Sequence, residues 1–370
     1  MKKIIQAIPF QLKIKLRSLG WGRINYSHLK HLIHYLNIDF SKKDTSKKFI
    51  FPNDELLTKQ LSYELTNYSP YRHQEFVIEI QEPVIIEPLM GGVIARGNKI
   101  VEECYALPEG NEVPLPYLPM AIYKINQSTL NFQEAISLRH PWGDNNYFHF
   151  YNDILPKLGL LLDLNLLLNH PIIVSKKLYN TSYFQSAIQQ AKLKHLHWIV
   201  QDKEYIRINN LITIRAHELT PQGIERNLKL LNITKIHKKQ NRKIFLIRTS
   251  SNQRNLTNRE EVVRICLELG FECIDCSKLS LQEQIEIFAN ARYIVGEHGA
   301  AFANIIYRNS GCLDILEIFP PHHISTCYFV ISQCLGFNHY VYRCQIGSRD
   351  SYTLEPIKFE RMLQQILLSN

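Results

Sequence analysis

From residue 242 onward the chain alternates at close intervals between short apolar runs and longer amphipathic ones. Few folds accept that rhythm. Residues 243–248 predict a strand, and Thr257-Asn-Arg-Glu260 a capping box opening a helix to Leu269, which Gly270 ends. Residues 271–276 predict the next strand. Ser280-Leu-Gln-Glu283 is a second capping box, for a helix to Ala291, and residues 293–295 are a third strand. A strand at 312–319 is closed by Pro320-Pro321, followed by a helix at 326–335, a strand at 339–344 and an amphipathic helix at 358–368. Strands alternating with helices of this length build a parallel sheet with crossover helices. Ligands of such sheets bind beyond the C-terminal ends of the strands. The residues just after each strand are therefore the ones to search for chemistry.

Upstream the pattern is more β-rich. Short strands are expected at 76–80, 84–86, 93–96 and 99–105, punctuated by Pro83, Gly91-Gly92 and Gly97. A Pro-rich loop spans 108–119, and further strands are expected at 172–175, 195–200 and 205–215 with helical stretches between them. A chain of 370 residues has room for two cores. The expected division is a basic segment at 1–50, an N-terminal domain at 51–169, a C-terminal domain at 170–354 and a final helix at 355–370, free to cross back to the N-terminal domain.

The net charge of +9 is concentrated at one end. Residues 1–50 carry 11 Lys and Arg against Asp39 and Asp44, leaving 32 charges of each sign in the rest. A nucleic-acid-binding surface is disfavoured, because the remaining chain has no positive excess. The basic segment, with Ile4, Ile5, Ile8, Phe10 and Trp21 among its lysines, reads either as an interfacial helix on an anionic membrane or as a solvated arm. Apolar runs stop short of the roughly 18 residues a membrane helix needs. The eight cysteines form no dense framework and read as reduced thiols. Cys273 and Cys276 form a CxxC, but inside an apolar run with no second pair, which suits a buried strand better than zinc. The expected location is cytoplasmic, with room for peripheral contact at the inner face of a membrane.

The stretch Val-Gly-Glu-His-Gly-Ala-Ala-Phe-Ala-Asn, residues 295–304, follows one of these strands. It reads as a tight turn and a helix start, where unpaired backbone N–H groups and the helix dipole favour a phosphate or diphosphate. Gly296 and Gly299 are expected to let the backbone bend and a ligand approach, with His298 between them. The simpler reading is a strand-to-helix turn that the histidine merely caps. A second polar stretch, residues 140–153, mixes His140, Trp142, Asn146, Tyr147, His149 and Asp153 ahead of a leucine-rich helix. On a helix, His149 and Asp153 share one face at i, i+4, a workable arrangement for a general base. Capping of orphan N–H groups by Asn and Asp is the alternative.

Two more polar groups stand at strand ends. Arg248-Thr-Ser-Ser-Asn-Gln-Arg254-Asn255 offers two arginines able to hold a diphosphate in bidentate fashion, unless they are simply solvated. Glu317 is placed to accept bonds from ribose hydroxyls, unless it is an edge carboxylate paired with a lysine. Three polar clusters at three strand ends of one sheet favour a nucleotide site.

Together these pieces resemble glycosyltransferase family 61. The matching residues are Arg248-x-x-Ser251-x-x-Arg254-Asn255, Leu279-Ser-Leu-x-Glu283-Gln284, Gly296-x-His298-Gly299-Ala300-Ala301-x-Ala303-Asn304, Glu317-Ile-Phe-Pro320 and, upstream, Asn146-Tyr-Phe-His149-x-x-x-Asp153-x-x-Pro156. Glu297 departs from the pattern, standing where a small or apolar residue is expected. The resemblance implies a GT-B-like α/β architecture, two Rossmann-like domains facing a cleft. It implies an inverting transfer from a nucleotide-sugar without an obligatory metal, of the bacterial capsular or exopolysaccharide type. No Asp-x-Asp triplet occurs in the chain to hold a divalent ion. A dehydrogenase is disfavoured because no Gly-x-Gly-x-x-Gly follows a strand.

The reading that results assigns Arg248, Ser251, Arg254, Asn255, Gly296, Glu297, His298, Gly299, Ala300, Ala301, Asn304 and Glu317 to a nucleotide-sugar, most simply a UDP-sugar. Trp142, Asn146 and Tyr147 go to a glycan or lipid-linked acceptor, and Asp153, His149 and His298 to catalysis, with Asp153 as the expected base and His149 as its partner or substitute. No cofactor, metal or nucleic acid is expected. A nucleotide- or glycan-binding module without turnover, within a polysaccharide assembly complex, is the competing reading.

Overall fold

A computed structural model of the protein describes residues 22–24, 26, 28, 30–38, 71–105, 129–144, 146–216, 220–233, 240–248, 254–308, 311–321, 323–348 and 350–368. Most of the basic segment, with its expected membrane contact, the Pro-rich loop 108–119 and Ser251 lie outside the described residues. No described helix is long and apolar enough to cross a membrane. The eight cysteines, all among the described residues, form no disulfide.

The chain divides into two compact units, Met1–Tyr35 with Gln74–Glu218, and Leu36–His73 with Leu219–Asn370. The main boundary thus falls at 218/219 and not at 169/170. Hydrogen bonding decides this. In chain order the strands of the first sheet are β1 (Gly22–Ile24), β2 (Lys30–Ile38), β3 (Tyr71–Ile80), β4 (Val84–Ile86), β5 (Val93–Ala95), β6 (Lys99–Val101), β7 (Thr129–Ser137), β8 (Ile172–Ser175), β9 (Trp198–Gln201) and β10 (Tyr205–Arg215). β10 runs parallel to β7, and β8 and β9 continue that parallel set beyond β7. On its other side β10 pairs antiparallel with β4 and β3. Three strands beyond residue 170 are therefore welded into the first unit, whose core holds Ile78, Ile80, Val84, Ile86, Ala135, Ile173 and Ile206. The strand expected at 99–105 stops at Val101, and Glu102–Tyr105 is a short helix. Glu102 and Glu103 in its first turn suit a helix N-terminus better than a ladder.

The second unit carries β11 (Arg242–Leu246), β12 (Asn255–Leu256), β13 (Glu272–Ile274), β14 (Ala291–Glu297), β15 (Asp314–Phe319), β16 (Asn338–Arg343), β17 (Ile346–Gly347) and β18 (Ser351–Thr353). Five of these form an all-parallel sheet in the order β13-β11-β14-β15-β16. Strand direction and α/β class are those the alternation predicts. One face is covered by the helices Arg259–Glu268 and Pro356–Leu368, through Phe245, Val262, Val295, Leu316, Tyr340, Phe359 and Leu363. The last helix packs within this unit.

Buried on both faces, the central strands tolerate a charge only where it is paired. The side-chain period of two sends neighbouring positions to opposite faces. Glu297 turns toward the face of the 259–268 helix, where Arg259 grips its carboxylate at 2.8 and 3.3 Å and Tyr352 donates to it at 3.2 Å. That pairing explains how a carboxylate stands where a small residue was expected.

Gly296 is not a bend. It is a strand residue registered with Leu246 on β11 and Glu317 on β15. A Cβ there would sit 2.7 Å from the Leu246 Cβ, so the two strands require a glycine for their closeness. Gly296→Ala is expected to cost about 1–3 kcal/mol by overpacking, read as a lowered denaturation midpoint. Gly299 has an extended backbone, φ −178°, that any residue adopts. Residues Ala300–Tyr307 form a 3₁₀ helix, longer than most, in place of an α-helix.

The capping box at Ser280 forms as written, with Ser280 Oγ accepting from Glu283 N at 3.3 Å and Glu283 accepting from Ser280 N at 2.8 Å. The one at Thr257 does not. Its hydroxyl lies 2.7 Å from Thr353 Oγ1, and the cap position passes to Asn258. Pairing of β12 with β18 overrides the local signal there.

Candidate functional site

The order β13-β11-β14-β15-β16 reverses direction between β11 and β14. The next strand of this sheet, β13, lies on one side of β11, and the sheet's later strands, β14 to β16, lie on the other. Such a switch point opens a crevice at the strand C-termini and is where doubly wound sheets bind ligands. Arg248 follows β11 and His298 follows β14, and the structure brings them together: Arg248 Nη1 donates to the His298 carbonyl at 2.9 Å. The His298 N–H is held by the Ile318 carbonyl at 2.8 Å. Gly299 lies beside Arg248, where a Cβ would meet Nη1 at 3.5 Å. Ala300 and Ala301 open the 3₁₀ helix, whose first N–H groups lie outside its own ladder.

Arg254 completes this cluster electrostatically. Its φ of +59° is a left-handed conformation uncommon outside glycine and asparagine. Strained backbone of this kind collects at functional sites. Burial pushes the His298 imidazole down to about 3, and the positive fields of Arg254 and Arg248 act in the same direction. The ring is therefore neutral at ordinary pH. It stacks on Phe319 with centroids 4.8 Å apart and contacts His323 and Tyr328.

Three assigned residues face inward. Asn304 is buried and donates to Gln284 at 2.7 Å, tying the 3₁₀ helix to the helix Leu281–Ala289. Glu297 is committed to Arg259, as described. Glu317 is 1% exposed, with one carboxylate oxygen 2.5 Å from His298 Nδ1 and the other 3.0 Å from His339 Nε2. Neither oxygen is left for a ribose. Asn255, by contrast, is exposed at the start of β12.

The first unit holds the other cluster. His149 and Asp153 lie where a short α-helix, Tyr147–His149, passes into a π-helical turn, Phe150–Ile154. π-turns inside helices are frequent at functional sites. The i, i+4 pairing expected from the sequence is present, with His149 Nδ1 2.6 Å from Asp153 Oδ2. Asn152 Nδ2 donates to the other oxygen at 2.5 Å, and His140 Nδ1 stands 3.5 Å from Asp153. Burial acts to raise the Asp153 carboxyl, but His140, His149 and Lys157 together hold it below the usual carboxylate range. His149 remains partly exposed, its ring 5.2 Å from that of Trp142, whose indole is 41% exposed.

Asn146 takes the capping role, its Oδ1 accepting from Phe148 N and His149 N at 3.0 and 3.3 Å. The Tyr147 ring lies against Tyr151 and Tyr183. Beneath the loop carrying His140 and Trp142, buried Arg139 bonds Asp144 at 2.8 Å.

Sequence reasoning named His140 and Glu297 without the contacts they make, and missed His339, Arg259 and Tyr352. His140 opens the polar stretch and was visible. His339 sits in an apolar strand and is marked only by its register, opposite Ile315 and so two residues from the position facing Glu317.

Comparison with curated proteins gives no match. A solved structure described as E. coli heptosyltransferase WaaC with ADP is similar at 12% identity and a TM-score of 0.30, covering 63% of this chain and 97% of that chain. Residues 147–313, which run from the His149–Asp153 helix to just before β15 and include Arg248, Arg254 and His298, match the protein-family model Glycosyltransferase 61.

Proposed function

We propose that this protein is a glycosyltransferase that moves a sugar from a nucleotide-sugar, most simply a UDP-sugar, to a glycan or lipid-linked saccharide in surface polysaccharide assembly. The observation that carries the reading is Arg248 and His298 joined at the switch point of an all-parallel sheet, within the span that matches the family model. In this reading Arg248, Arg254 and the first amides of the 3₁₀ helix carry the diphosphate. They neutralise its charge as it leaves, without calling on a metal. The transfer inverts the anomeric carbon, so a base must take the acceptor proton as attack occurs. Asp153 is buried with both oxygens engaged, whereas His149 beside it reaches solvent. His149 is the group that meets the acceptor, and Asp153 holds its ring. The exposed indole of Trp142 offers a flat apolar face to the acceptor sugar.

A thermal-shift screen of nucleotide-sugars tests this directly. A donor at a hundred times its Kd stabilises the fold by about 2.7 kcal/mol. Slow hydrolysis of the stabilising donor in the absence of acceptor then separates an enzyme from a binding module, which shows none. Arg254→Ala is expected to weaken UDP binding by about 2–3 kcal/mol, roughly 30- to 150-fold in Kd by calorimetry. Unchanged affinity removes Arg254 from the site.

A further inference from the structure

Behind His298 a line of hydrogen bonds continues into the core. His298 Nδ1 faces Glu317 Oε1 at 2.5 Å, Glu317 Oε2 faces His339 Nε2 at 3.0 Å, and His339 Nδ1 faces Ser332 Oγ at 2.8 Å. Ser332 Oγ also lies 2.8 Å from the Tyr328 carbonyl. Glu317, Ser332 and His339 are all fully buried. Glu317 and His339 lie on adjacent strands, Ser332 on the helix Cys327–Leu335 that covers them. Glu317, Ser332 and His339 all fall outside the span matched by the family model.

Counting protons fixes the tautomers. An ionised Glu317 only accepts, so both imidazole nitrogens facing it carry hydrogen. His298 is then protonated on Nδ1, and its Nε2, which has no partner among the described residues, is a lone-pair acceptor. His339 gives its Nε2–H to Glu317. Its Nδ1 either accepts the Ser332 hydroxyl proton or, where that proton goes to the Tyr328 carbonyl, carries one of its own beside the carboxylate. Both arrangements leave His298 in the same form. Only a carboxylic acid at Glu317 donating to His298 reverses it. Burial favours that acid and outweighs the opposing His339 and Arg254, lifting the Glu317 carboxyl above the usual carboxylate range, so the tautomer of His298 reports which form Glu317 takes.

We propose that Ser332, His339 and Glu317 are positioning residues that hold His298 in the Nδ1–H form, so that Nε2 meets the ligand as a hydrogen-bond acceptor for a sugar or ribose hydroxyl. The ligand in this statement rests on the nucleotide-sugar reading, whereas the tautomer rests on the hydrogen-bond geometry and an ionised Glu317. An acceptor nitrogen is repelled by phosphate oxygens, so the diphosphate falls to Arg248, Arg254 and the first amides of the 3₁₀ helix, without the His298 ring. The charged and titratable groups facing His298 are Arg248, Arg254, Glu317, His323 and Tyr328, and the two arginines oppose its protonation.

Long-range imidazole ¹H–¹⁵N spectra of the full-length protein test the proposal, with His298 assigned by its loss in His298→Gln. The expected pattern is one Nδ1–H tautomer, unchanged between pH 8 and pH 6 and unchanged on saturation with UDP. An Nε2–H tautomer, a midpoint in the ordinary histidine range, or a doubly protonated ring on adding UDP overturns it. Glu317→Leu is expected to convert the single tautomer into a mixture. If that variant does not fold, the wild-type spectrum still decides. Failure of UDP to bind counts against the nucleotide-sugar reading, while the spectrum of the free protein still judges the tautomer.

Discussion

Asp153→Asn is expected to lower sugar transfer by roughly 10²–10⁴-fold, the usual contribution of general-base chemistry, while UDP affinity stays at the wild-type value. The change keeps the shape of the side chain and removes its charge. His149 Nδ1, 2.6 Å away, then faces either an amide oxygen or an amide nitrogen, and the ring loses the anion that stabilises its protonated form. His149→Ala is expected to cost a similar factor, and the double variant little more, because the two act as one unit. Added imidazole is expected to restore part of the activity of His149→Ala and none of that of Asp153→Asn. Transfer by Asp153→Asn near the wild-type rate would remove this pair from catalysis. UDP affinity is a useful control because the arginines assigned to the diphosphate belong to the other unit.

Arg259→Leu is expected to destabilise the second unit by about 3–5 kcal/mol, the cost of stranding a buried charge. Glu297 is 3% exposed, and Arg259 is its bidentate partner. Tyr352 alone cannot neutralise it. The guanidinium is also held in its charged form by this contact. Chemical denaturation followed by a probe in the second unit measures the loss. Replacing both partners, Arg259→Leu with Glu297→Leu, is expected to recover a large share of it, since an apolar pair of similar volume needs no counter-charge. Arg259→Leu with unchanged stability, and UDP affinity lowered instead, would return Glu297 to the ligand site.

How much of this was legible beforehand depends on the range of the interactions concerned. The alternation after residue 242 announced the parallel sheet, and its strands fall within a few residues of their expected places. The i, i+4 contact of His149 with Asp153 is local and was readable from spacing alone. Misreadings came from long-range contacts. Strands β8 to β10 look from their spacing like the start of a second domain, but their ladder partners, β7, β4 and β3, lie far earlier in the chain. Gly296 resembles a turn because glycine often marks one, yet it is a strand residue kept small by Leu246. Glu317 resembles a ligand-binding carboxylate because it stands near a strand end. Its engagement by His298 and His339 became visible only once register was known.

The switch point has a further consequence. Arg248 and His298 both begin just past the last registered pair of their strands, Leu246 with Gly296 and Glu297 with Ile318. Under the proposed function, Arg248 reaches the ligand from beyond the ladder and can change without altering strand pairing, whereas His298, bonded to Glu317 and Ile318, is tied to the frame. Under the nucleotide-sugar reading, related chains on this frame are expected to change donor at positions past the registered pairs that make no bond into the core, with denaturation midpoints that barely move.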